Sequence, residues 1–159
     1  MGPLGAVVHL TKRLSALRLF RREEHVRGPW QIIGWWEARR IPYNSFVGAT
    51  GILTGLSMLG CALVAERLLG EPVGWPDPPI VALLGVLAYG FMANVCYTGG
   101  WVSELLALEV WGEGARGFGP IAFLFGFVFS ICLTLVPAAI VAMLVVMRLA
   151  LHALSVGLD

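Results

Sequence analysis

Residues 117–147 contain no Asp, Glu, Lys, Arg or His over 31 consecutive positions, which exceeds the roughly 20 apolar residues a helix needs to cross a hydrocarbon layer. Two further uncharged stretches precede it, 25 residues at 41–65 and 26 at 78–103. A soluble domain has too little interior to hide three such segments. With 58% hydrophobic and 13% charged residues, against a soluble average of roughly half and a quarter, the chain reads as an all-α integral membrane protein with three transmembrane helices. Their expected spans are about 45–65, 80–98 and 119–147. The third is longer than a crossing requires, so it must tilt, kink or protrude, and Pro137, which frees the Leu133 carbonyl, supplies a kink.

Charge fixes the expected topology. Eight of the eleven Lys and Arg residues lie before residue 41, and the positive-inside bias then places the N-terminus in the cytoplasm and, after three crossings, the C-terminus in the periplasm. No signal peptide is expected, because the basic residues follow the short apolar run after Met1 instead of preceding it. Residues 1–44 read as a basic cytoplasmic arm and 45–159 as the transmembrane domain. Within the arm, Val7, Leu10, Leu14 and Leu17 form one apolar stripe at steps of three and four, with Lys12, Arg13 and Arg18 beside it. Such an amphipathic helix suits an anionic inner leaflet or a docking partner. Nucleic acid is not an expected partner, since the adjacent lipid surface accounts for the basic charge.

Around the entry to the first span, Trp30, Trp35 and Trp36 with Arg39 and Arg40 read as an interfacial aromatic belt with snorkelling cations; the other reading is a stacking platform for a headgroup or cofactor. Trp101 reads as the matching anchor after the second span. Before it, "ANVCYTGGW" looks like a helix exit, with Gly99 and Gly100 as the stop. The connection that follows carries Glu104, Leu105, Leu108 and Glu109 and suggests a short helix lying on the membrane surface.

Inside the spans, the third helix repeats small residues every four positions: Ala122, Gly126, Ser130, Thr134, Ala138, Ala142. The first carries a GxxxG pair, Gly51 and Gly55. Lipid gives helices no hydrophobic reason to associate, so close backbone approach at small residues does that work. The stripe serves either internal packing or docking of another protein.

Cys61, Cys96 and Cys132 are spread over the spans and suggest neither a disulfide nor a zinc site. No ionisable residue falls within the apolar body of a span, where proton relays and ion pathways require one. Neither a metal nor another cofactor is expected; contact with a lipid, pigment or haem stays open, and His152 is the one residue placed for axial ligation. For an enzyme, Glu104, Glu109 and Glu113 would have to supply acid-base groups with Tyr97 or His25, and Glu104 and Glu109, five apart, share a helical face poorly.

The strings "GWWEARRIPYNSFVG" and "ANVCYTGGW" resemble segments of small multi-pass membrane proteins of bacteria that have no assigned chemistry. The resemblance implies topology and a bacterial inner membrane, and it transfers no functional residue. The expected function is a non-catalytic accessory or scaffold subunit of a larger membrane complex, with photosynthetic or respiratory electron-transfer complexes as candidate hosts by general analogy. The alternative is an independent lipid- or small-molecule-binding protein or a homo-oligomeric channel, for which Asn94, Ser130 and Thr134 are the polar candidates.

Overall fold

The computed structural model describes residues 28–70, 79–115 and 117–156, and these are helical almost throughout. The expected amphipathic stripe of the arm lies outside the described residues. Three long helices follow one another: α1, Pro29–Leu69; α2, Pro79–Trp111; and α3, Phe118–Val156, with a single 3-10 turn, Gly112–Ala115, between the last two. All three are long and apolar enough to cross a membrane. At about 1.5 Å per residue each measures roughly 50–60 Å, well beyond a hydrocarbon core of about 30 Å.

Local chemistry sets the helix ends. Pro29 and Pro79 open α1 and α2, where a missing N–H costs nothing. Gln31 reaches back to accept from the Gly28 N–H at 3.1 Å, half of a capping box. Gly70, at φ 68°, closes α1 by donating to the Glu66 carbonyl at 3.0 Å, as a left-handed C-terminal glycine does.

One expectation is corrected here. Gly99 and Gly100 do not stop α2, and residues 101–111, expected as a separate surface helix, are its last three turns. Two helical glycines cost about 1 kcal/mol each relative to alanine, and tertiary contacts outweigh that cost, as described below.

The described residues divide into two compact units, one drawn from the chain up to Tyr43 and from Asn94–Val128, the other from Asn44–Ala93 and from Phe129 onward. In the second unit, α1 turns inward Val47, Thr54, Ala62 and Ala65, and α3 turns inward Thr134 and Val145. Steps of seven, eight and three on α1 are those of one helical face. The small side chains allow polar contacts between helices: Thr54 donates to the Thr134 carbonyl at 3.0 Å. The hydroxyls of Tyr89 and Thr134, 2.6 Å apart, converge on the Ser130 carbonyl at 3.0 and 2.6 Å. Tyr89→Phe is expected to lower the stability of the chain by about 1 kcal/mol, the scale of hydrogen bonds between membrane helices. Unfolding in mixed detergent micelles checks this, and an unchanged midpoint would remove the hydroxyl from the fastening of this unit.

Candidate functional site

The first unit brings buried aromatic and polar side chains from all three helices into one cluster. On α1, Ile32, Trp35, Trp36 and Tyr43 are buried, again one helical face. On α2 the buried face is Tyr97, Glu104 and Ala107, and on α3 it is centred on Phe123. Contacts pair rising α1 numbers with falling α2 numbers: Trp36 with Glu104, Arg40 with Thr98, Tyr43 with Tyr97. Within this unit the two helices are therefore antiparallel.

Glu104 is the centre of the cluster. Its side chain is 4% exposed, and the Trp36 indole N–H donates to Oε2 at 2.6 Å. The carboxyl lies against Gly119 so closely that a Cβ on Gly119 would overlap it. Because Gly119 is the second residue of α3, the carboxyl sits in the first turn of that helix, where the macrodipole favours an acidic group by about 0.3–1 kcal/mol and up to about 2 when partly buried. One side chain thus joins α1, α2 and α3.

Gly100 fulfils a second spatial requirement. A Cβ at this position would lie 2.6 Å from Cη2 and 2.7 Å from Cζ3 of Trp36, so the six-membered ring of the indole occupies the space a side chain would need. Around that ring, Trp35, Tyr97 and Phe123 pack edge to face, with centroids at 5.6, 5.4 and 5.7 Å. Pairs in this geometry contribute about 0.5–1.5 kcal/mol each beyond burial.

Polar groups close the sides. The Tyr97 hydroxyl donates to the Trp36 carbonyl. Arg40 pairs with Glu37 at 2.7 Å and donates to Thr98 Oγ1 at 3.1 Å, while Thr98 donates to the Asn94 carbonyl at 2.9 Å. Arg39 lies 3.8 Å above the Trp35 ring and donates to the Trp35 carbonyl at 2.8 Å. Among the described residues, the buried Arg40 Nε and Trp101 Nε1 have no acceptor.

The sequence-derived candidates separate accordingly. Trp35 and Trp36 are not lipid-facing anchors: at 8% and 2% exposure they form the core of this unit. The residues with which they share a helical face carry them inward. Arg39, Arg40 and Trp101 are half-buried, and Trp30 is fully outward at 84%. Of the α3 stripe, Ala122 and Gly126 are half-buried in this unit, while Ser130, Ala138 and Ala142 are half-buried and Thr134 buried in the other. Gly51 faces Thr134, whose Cγ2 would lie 3.9 Å from an added Cβ, whereas Gly55 is exposed with nothing within 4 Å of one. His152 is exposed and Ser155 donates to its backbone carbonyl. Cys61 is half-buried, Cys96 and Cys132 are exposed, and all three thiols are free.

Sequence reasoning missed the role of Glu104, which it placed on a short helix lying on the membrane surface. The signal was available in the phase of the helix, since Tyr97, Gly100, Glu104 and Ala107 fall on one stripe. Chemically, the arrangement fastens: the Glu104 oxygen, the Tyr97 hydroxyl and Nη2 of Arg40 are all engaged within the chain. These observations define an all-α protein of three helices long and apolar enough to cross a membrane, in which the start of α1, the end of α2 and the start of α3 form a polar and aromatic knot. The chain matches no protein-family model, no curated protein and no solved structure.

Proposed function

We propose that this chain is a non-catalytic accessory or scaffold subunit of a larger membrane complex. The observation that carries the reading is a contrast between the two kinds of surface. Glu104, Tyr97 and Arg40 of the knot are engaged within the chain, while only 17%, 6% and 11% of the most apolar stretches of α1, α2 and α3 are buried. Large apolar side chains such as Ile52, Leu56, Phe91, Phe125, Met143 and Leu151 point outward. Apolar surface on this scale is covered by lipid tails, by other membrane subunits or by both.

The expected setting is the bacterial inner membrane, with a cytoplasmic N-terminus and a periplasmic C-terminus, as the basic residues before position 41 favour. Anionic inner-leaflet lipids and neighbouring subunits are the partners, nucleic acid is not, and a photosynthetic or respiratory electron-transfer complex is the host considered first. The alternative, an independent lipid-binding protein or homo-oligomeric channel, draws less support, because the Thr134 hydroxyl is engaged with the Tyr89 hydroxyl and the Ser130 carbonyl.

Extraction in mild detergent, native-gel separation, mass spectrometry and an absorption spectrum of the band test this proposal. Migration with a large complex is the expected result, and Gly55→Leu, on an open face of α1, is expected to weaken that association at least several-fold. A small, colourless band containing this chain alone would overturn it.

A further inference from the structure

The outer face of α2 beyond its uncharged stretch is apolar and acidic together. Val102, Leu106 and Val110 are 39%, 57% and 71% exposed and Trp111 is 68% exposed, with Glu109 and Glu113 exposed beside them. Positions 102, 106, 109 and 110 fall on one helical stripe, opposite the buried Tyr97, Glu104 and Ala107, and Glu113 follows in the 3-10 turn after the helix. Apart from Val102, the stripe lies beyond Ser103, the end of the uncharged run, and its charged residues favour headgroups and water over hydrocarbon.

We propose that the stripe is the docking surface for the chain's own N-terminal arm, residues 7–18. Three observations favour this occupant. In chemistry the arm is the complement: Val7, Leu10, Leu14 and Leu17 supply an apolar stripe, and Lys12, Arg13 and Arg18 supply cations for Glu109. In position it is adjacent. Because α1 and α2 run antiparallel through Trp36–Glu104 and Arg40–Thr98, Pro29 at the start of α1 and Trp111 at the end of α2 share one end of the unit. In reach it is sufficient, since residues 19–27 span up to about 30 Å when extended. An anionic bilayer is the competing occupant, and Glu109 and Glu113 disfavour it at this face by like charge.

Tryptic cleavage of the arm at Lys12, Arg13 and Arg18 in the full chain, held in nanodiscs of neutral phosphatidylcholine and read by intact mass, tests the proposal. The wild-type arm is expected to be cut about tenfold more slowly than the arm of a Glu109→Lys/Val110→Asp variant, because cleavage follows the population of the undocked arm. Both substituted residues are exposed, so the variant keeps its fold, which an unchanged unfolding midpoint verifies. Equal cleavage of wild type and variant in neutral lipid overturns the proposal. Protection that appears only when phosphatidylglycerol is added, and that the variant retains, also overturns it and assigns the arm to the lipid surface.

Discussion

Glu104→Ala is expected to destabilise the chain by about 2–3 kcal/mol, whereas Glu104→Gln is expected to cost under about 1 kcal/mol. The alanine variant leaves the Trp36 N–H buried with no acceptor, and an orphaned buried donor loses its full desolvation energy. It also empties the space in front of Gly119. Glutamine keeps an acceptor oxygen of nearly the same size and reach for the 2.6 Å hydrogen bond, and forfeits only the part due to charge and the α3 dipole. Reversible unfolding in mild detergent, followed by tryptophan fluorescence, measures both. Equal losses for the two variants would show that the Trp36–Glu104 hydrogen bond does not fasten the three helices.

A second large effect is expected at Gly100. Alanine there gains about 1 kcal/mol in helix propensity, yet Gly100→Ala is expected to be destabilising by about 1–3 kcal/mol, because overpacking of a closed core dominates. The obstructing atoms, Cη2, Cζ3 and Cζ2 at 2.6, 2.7 and 3.3 Å, all belong to the Trp36 indole. In a Trp36→Phe background those atoms are gone, so the penalty should fall by more than about 1 kcal/mol, a coupling that a double-mutant cycle reads directly. Gly99 provides the internal control: an added Cβ there meets nothing within 4 Å, so Gly99→Ala is expected to be neutral or mildly stabilising. A cycle with no coupling would mean that the two helices yield at this point, and the close approach would lose its explanation.

These two positions also show what the sequence could and could not reveal. The three long apolar helices follow from runs of uncharged residues, each legible on its own because hydropathy is a local property. The end of α2 was misplaced because a glycine pair is a local stop signal, while the reason the helix continues is an indole on another helix. Glu104 was assigned to a helix on the membrane surface because its partner lies 68 residues away. Trp35 and Trp36 show the same limit from the other side: tryptophan beside arginine at a span boundary is a general interfacial pattern, and only the phase shared with Ile32 and Tyr43 distinguishes burial from lipid contact. Composition announces the solvent of a segment, and helical phase announces its neighbours.

The two units rest on different physics. The knot carries Glu37, Arg39 and Arg40, charges that favour a place outside the hydrocarbon, where the removal of water from its rings contributes to its stability. Around Thr54, Tyr89 and Thr134 there is no such contribution, because lipid tails are as apolar as the side chains they contact, and fit and hydrogen bonds alone hold the helices together. A water-soluble denaturant such as urea therefore has purchase on one half of the chain, and a change of lipid or detergent on the other.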